Sequence, residues 1–110
     1  KYQAHQRIDK PTFGIAIHRD DGLHITGSNT FLARFDIPYV EGAGEVRYRV
    51  DALPLLEGTY YLSVAVHSAD ETRTYDYQNF AYRFSVQIGT ATPHQGIIHM
   101  PGSWEHLSYS

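Results

Sequence analysis

The sequence predicts an all-β domain, an antiparallel sandwich or barrel, and three observations carry that expectation. Apolar side chains recur at every second position in several short runs, the period of a strand with one buried face. Tyrosine, valine, isoleucine, threonine and phenylalanine fill those runs, whereas alanine, leucine, glutamate and lysine at helical spacing are missing. Glycine, proline, asparagine and aspartate stand between the runs, where turns need them. At 110 residues the chain suits one domain with a single core, residues 1–110.

The elements follow in chain order. Tyr2 to Ile8 alternates weakly and stops short of Pro11. In TFGIAIHR, Phe13, Ile15 and Ile17 share one face, and Gly14, Ala16 and His18 share the other. The next stretch, HRDDGLHITG, reads either as a cation loop or as a turn. A calcium loop needs oxygen ligands at alternating positions and a carboxylate at the twelfth. Here Asp20 and Asp21 are adjacent, and the twelfth position counted from Asp20 is Phe31. Asp-Gly between alternating runs is a hairpin signal, so LHITGSNT is expected to fold back on TFGIAIHR. Phe31 to Gly44 reads as a looser connection, marked by Pro38, Gly42 and Gly44.

EVRYRV predicts a strand with Val46, Tyr48 and Val50 inward and Arg47 and Arg49 outward. DALPLLEG leads into GTYYLSVAVHS, whose Tyr60, Leu62, Val64 and Val66 point inward. Tyr60, two residues after Gly58, fits the structural corner tyrosine of sandwich folds. ADETRTYDYQN reads as a polar loop. AYRFSVQI then puts Tyr82, Phe84, Val86 and Ile88 inward, GIIHM is a last short strand, and the tail from Pro101 is unpatterned apart from Trp104. Roughly seven short strands of this kind give two facing layers about 10 Å apart.

Composition narrows the function classes. A net charge of −3 lacks the basic footprint that a duplex-binding protein needs, so nucleic acid is not an expected partner. There is no cysteine for disulfides or thiolate metal sites. No apolar run approaches the ~20 residues of a membrane-spanning helix, and KYQAHQRID alternates like a strand rather than a leader. Seven histidines invite a metal reading, with His5, His18 and His67 on one predicted face, but no H-E-x-x-H accompanies them. Asp20 and Asp21 point to different sides of a turn, unlike paired carboxylates facing each other across a cleft. No G-x-S-x-G turn is present. No catalytic residue, metal or cofactor is therefore expected.

Three segments carry a family resemblance: PTFGIAIHRDDGLHITGSNT, LPLLEGTYYLSVAVHS, and YDYQNFAYRFSV followed by GIIHMPGSW. In that order, from about Pro11 to Trp104, they resemble the C-terminal domain of the ATP-binding subunits of O-antigen polysaccharide ABC transporters, the Wzt C-terminal domain family. The resemblance implies an immunoglobulin-like antiparallel β-sandwich that binds the polysaccharide to be exported without catalysis. It also implies a nucleotide-binding domain and a transporter membrane subunit as partners, at the cytoplasmic face of a Gram-negative-type inner membrane. A homodimer is expected. No G-x-x-x-x-G-K occurs, and the family domain has strands before the position where this sequence starts, so a fragment lacking its first strands is expected. A missing strand would favour self-association, including strand exchange. The other reading open to the sequence is a structural or docking sandwich serving a methyltransferase or glycosyltransferase.

In an immunoglobulin-like arrangement, GTYYLSVAVHS and AYRFSVQI are neighbours, and Tyr2 to Ile8 and TFGIAIHR join them in one sheet. Parity then assigns an outer face of Gln3, His5, Gly14, Ala16, His18, Tyr61, Ser63, Ala65, His67, Arg83, Ser85 and Gln87. Small residues leave a shallow trough, and planar polar ones offer flat surfaces and hydrogen bonds, the combination a pyranose requires. The candidate carbohydrate-binding residues are His5, His18, Tyr61, Ser63, His67, Arg83 and Gln87, with Tyr75 and Tyr77 beside them. A polar outer face is also what any antiparallel sheet turns to water. Tyr75-Asp76-Tyr77 either frames a site or packs over the sandwich end, and Trp104 is either a stacking platform or an edge plug.

Overall fold

The computed structural model describes residues 1–87 and 96–109. Its strands are β1 (Tyr2–Asp9), β2 (Thr12–Arg19), β3 (His24–Asn29), β4 (Tyr39–Gly44), β5 (Gly58–His67) and β6 (Thr74–Val86). They form two antiparallel sheets, one of order β3-β2-β5-β6 and one pairing β1 with β4. No helix occurs among the described residues.

The β2–β3 hairpin forms where the Asp-Gly signal predicts it. Gly22 sits at φ 90°, a backbone conformation that only glycine adopts without a Cβ penalty. The Arg19 N–H donates to the Leu23 carbonyl at 2.8 Å and the Gly22 N–H to the Arg19 carbonyl at 2.9 Å. Asp21 accepts from the Arg19 guanidinium at 3.0 Å and from the Leu23 N–H at 3.1 Å. Those donors, Arg19 foremost, hold its carboxyl at about 2, below the usual carboxylate range. The carboxylate is committed to closing the turn.

Strand β5 runs through the middle of the larger sheet, paired with β2 from Thr12↔His67 to Arg19↔Tyr60 and with β6 on its other side. Partners across an antiparallel ladder share a face. Phe13↔Val66, Ile15↔Val64 and Ile17↔Leu62 therefore line the inner side, with Tyr60↔Phe84 and Leu62↔Tyr82 continuing it onto β6. The most buried apolar side chains are Val40, Leu55, Leu56 and Tyr60. Tyr60 anchors this end of the core: its hydroxyl donates to the Leu56 carbonyl at 2.7 Å, and its ring stacks on Phe84 at 5.6 Å. That is the corner role expected of it.

Between the sheets lies an open cleft of about 920 Å³, lined on one side by Tyr2, Ala4, Ile8 and Val40 and on the other by Phe13, Ile15, Val64 and Val66. The Tyr2 and Phe13 rings meet at one point, 5.8 Å apart. Phe13, Ile15, Ile17, Leu62, Val64 and Val66 of the inner rows are only half-buried.

Four expectations are corrected. First, β1 does not join the larger sheet. The hairpin fills the free edge of β2 with β3, so β1 pairs β4 and carries Gln3 and His5 to the smaller sheet. Second, EVRYRV is not a strand, and Tyr48 and Val50 are 62% and 48% exposed. The β1–β4 ladder ends at Tyr2↔Gly44, and Glu45 to Val50 pair with no strand among the described residues. The pairing falls instead on YVEGAG, within the expected connection. Third, GIIHM contributes a single bridge, Ile98 to Leu55. Fourth, the expected polar loop is strand from Thr74 onward, leaving a short turn from Ser68 to Arg73 in which Asp70 accepts from Ser68 and Thr72. Ile88 lies outside the described residues.

Candidate functional site

The outer face of the larger sheet follows from its registers as rows of side chains. One row reads His24, His18, Tyr61, Arg83; the next Gly27, Ala16, Ser63; the third Asn29, Gly14, Ala65, Tyr77. Successive rows lie about 7 Å apart, two residues of strand rise. Arg83 is the one charged side chain among these positions. The floor of glycine and alanine is the predicted trough, but its middle is not empty.

Strand β6 supplies what fills it. Gln78 pairs with Val64 and Tyr82 with Leu62, so three residues, Asn79 to Ala81, stand opposite Ser63 alone. This bulge is fastened from below. The Ser63 hydroxyl accepts from the Phe80 N–H at 2.8 Å and donates to the Asn79 side-chain oxygen at 3.3 Å. That oxygen also accepts from the Tyr77 hydroxyl at 3.2 Å. Phe80 takes φ 50°, a left-handed conformation that costs an L-residue on the order of 1–2 kcal/mol. Bulges re-aim side chains, and this one turns the Phe80 ring onto the outer face. There it meets His18 edge to face at 4.7 Å and 84°, and Tyr61 at 5.9 Å.

His18 is held between two rings, since His24 lies 5.0 Å away on the other side. His24 reaches that place by folding over Gly27, where any Cβ would stand 3.3 Å from its Nε2. The Nδ1 atom of His18 is buried and has no hydrogen-bond partner within the protein. The cluster of Phe80, His18, His24 and Tyr61 is an aromatic platform with imidazole nitrogens and a phenol at its margin.

Of the residues proposed from sequence, the fold brings His18, Tyr61, Arg83 and Tyr77 to this face. Ser63 is on it too, but buried at 4% relative exposure beneath the bulge, so it positions Phe80 instead of facing solvent. His67 lies at the far end, paired with Thr12 and within hydrogen-bonding distance of Thr74 Oγ1 at 3.2 Å. Six residues of strand, about 20 Å, separate it from Tyr61 and His18. His5 belongs to the other sheet, so the three histidines do not converge. No cluster of three metal-ligating side chains occurs among the described residues. Tyr75 parts from Tyr77: it is half-buried on the cleft side, with the Arg73 guanidinium 5.2 Å from its ring centre. Gln87 is exposed one position beyond β6.

Sequence reasoning missed Phe80, Asn79 and His24. Strict alternation groups Phe80 with Tyr82 and Phe84 on the inner side. The available warning was the pair of amide side chains, Gln78 and Asn79, in the middle of a β run, where asparagine is disfavoured.

No curated protein matches the chain. A solved structure described as "Crystal structure of the C-terminal domain of wzt" is similar, with a TM-score of 0.77 and 25% sequence identity, over 94% of this chain. The match spans 64% of the length of that chain. The family model described as the Wzt C-terminal domain matches residues 1–100. The sandwich expected from the three co-ordered segments is the fold observed, and the chain belongs to the Wzt C-terminal domain family.

Proposed function

We propose that this domain is a non-catalytic module that binds an O-antigen polysaccharide destined for export by an ABC transporter. On this reading it works beside an ATPase domain and a membrane subunit at the cytoplasmic face of the inner membrane. Family membership supports the transporter context. The outer face of β3-β2-β5-β6 supports the ligand class: an aromatic cluster adjoins a floor of Ala16, Gly14 and Ala65, with hydrogen-bonding groups at its edges. A pyranose presents an apolar face to aromatic rings and hydroxyls to polar neighbours, and this surface matches both. Because sugar hydroxyls trade water for protein partners, each site contributes modest affinity.

The test is a titration followed by backbone NMR, using O-polysaccharide purified from the organism that encodes the chain. Shifts should concentrate at His18, His24, Tyr61, Phe80 and Arg83 and spare β1 and β4. Silence at millimolar glycan, or shifts confined to the smaller sheet, would remove this reading.

A second copy of the chain is the partner we infer for the cleft between the sheets. The cleft is lined largely by apolar side chains, while Met100, Trp104, Leu107 and Tyr109 are 74%, 102%, 60% and 90% exposed. Exposed apolar side chains on the tail and an apolar groove are complementary, and two copies exchanging tails would cover both. Light scattering should then give twice the 12.5 kDa of one chain. A monomer mass at every concentration up to the solubility limit would exclude the exchange. Pairing two sites would also add avidity for a repeating glycan.

A further inference from the structure

The polysaccharide reading leaves open which side chain selects the sugar, and the bulge on β6 supplies a candidate. We propose that Phe80 is the specificity-determining residue of the outer face, its ring being the platform on which the apolar face of a neutral pyranose stacks. His18 and Tyr61 flank that position, with the His24 ring beyond His18, and their polar margins face the sugar hydroxyls. The inference rests on the polysaccharide-binding reading and deepens it.

Three observations carry it. The Phe80 backbone sits at φ 50°, which glycine or asparagine would meet at lower cost. A bulge needed only to end pairing or bend the strand would not require an aromatic there. Phe80 also does not fill the core: it is 42% exposed and lies on the side of the sheet away from the cleft, against His18 and Tyr61. Finally, the bulge is held by a buried hydroxyl, since Ser63 both accepts from the Phe80 N–H and donates to Asn79. A ring maintained in an unfavourable conformation, on a fixed support and half open to solvent, is a presented surface. Strain of this kind gathers where a protein holds a group ready for a ligand.

The surroundings narrow the ligand. Edge-to-face contact with His18 leaves part of the Phe80 ring open, and no carboxylate or ammonium side chain stands among these rows. Ala16, Gly14 and Ala65 in the rows beneath keep the relief beside the ring low, while the His24 imidazole covers Gly27. Arg83, the one charged residue of these rows, stands in the outermost strand beside Tyr61, at the rim. The stacked residue is therefore expected to be a neutral hexose presenting a face of axial C–H groups, with Arg83 reaching an adjoining unit.

The experiment compares the full 110-residue chain with F80L, F80W and F80A, titrated with O-polysaccharide from the encoding organism. Leucine keeps an apolar side chain but removes the π face, and tryptophan keeps the π face. F80L and F80A should each weaken binding by about tenfold or more, and F80W should stay within about threefold of the parent, as expected for loss or retention of one aromatic stack. Cross-relaxation between Phe80 ring protons and pyranose ring protons in the parent chain checks the contact without any substitution. Parental affinity in F80L, F80W as weak as F80L, or missing cross-relaxation in a bound sample would each overturn the proposal while leaving polysaccharide binding intact. A parent chain that binds no glycan overturns the functional reading, and this inference falls with it.

Discussion

Tyr60→Ala should remove a large part of the domain's stability, about 3–5 kcal/mol. Tyr60 is 2% exposed, stacks on Phe84 at 5.6 Å and donates its hydroxyl to the Leu56 carbonyl at 2.7 Å. Truncating a buried aromatic costs about 3–5 kcal/mol through lost transfer energy and the cavity left behind. A domain of this size is stable by only about 5–15 kcal/mol, and few side chains are fully buried among the described residues to compensate. Leu56 also donates its N–H to the Ile97 carbonyl, so losing the corner loosens the contact that ties the segment around Ile98 to the body of the fold. Tyr60→Phe separates the two contributions. It keeps the ring and removes one buried hydrogen bond, worth about 1 kcal/mol net. Burial raises the phenol pKa, so the hydroxyl is a donor throughout the neutral range. Urea denaturation followed by circular dichroism should show a modest loss for Tyr60→Phe with unchanged slope, and a much lower midpoint for Tyr60→Ala. Equal losses would mean that the hydrogen bond, not the ring, holds the corner.

The same residue shows what the sequence made legible. Tyr60 lies two positions after a glycine, in the longest clean alternation of the chain, and both its inward direction and its structural role could be read from that. The Asp-Gly hairpin was legible for a similar reason, since a local backbone requirement at Gly22 selects the residue types that announce it. Strand partners were not legible. EVRYRV alternates better than YVEGAG, yet pairing goes to the segment that β1 can reach, and no period within one strand reveals where its neighbour ends. His5 was misplaced for that reason: its parity was sound, but its sheet was not. Part of the candidate site could be listed in advance, because His18, Tyr61 and Arg83 keep strict alternation with their partners, whereas Tyr77 was expected in a loop beside them. Its centre could not. Placing Phe80 requires knowing that three residues of β6 answer one of β5, a non-local fact.

Ser63→Ala should cost about 1–3 kcal/mol, far more than removing one hydroxyl from a polar outer face would suggest. Ser63 is 4% exposed because the bulge covers it, and its oxygen is the acceptor for the Phe80 N–H at 2.8 Å. Without that acceptor the amide remains under the fold of the bulge with no partner, and the desolvation cost of an unpaired donor is added to the lost bond. Asn79 loses a donor as well and keeps the Tyr77 hydroxyl. The left-handed conformation at Phe80 would then have less to hold it, and the bulge has two ways to respond. It can swing outward, carrying Phe80 away from His18, or shed its extra residues by slipping register toward Val86. Both outcomes raise amide hydrogen exchange at Asn79 to Ala81, while exchange in β2 should change little. Ser63→Thr keeps the acceptor and should restore most of the protection. A Ser63→Ala chain with parental stability and unchanged exchange at Phe80 would show that the bulge stands by its own backbone geometry. The expected pattern instead makes a buried hydroxyl on β5 the support that fixes an aromatic ring on β6, and the outer face then depends on a residue no ligand reaches.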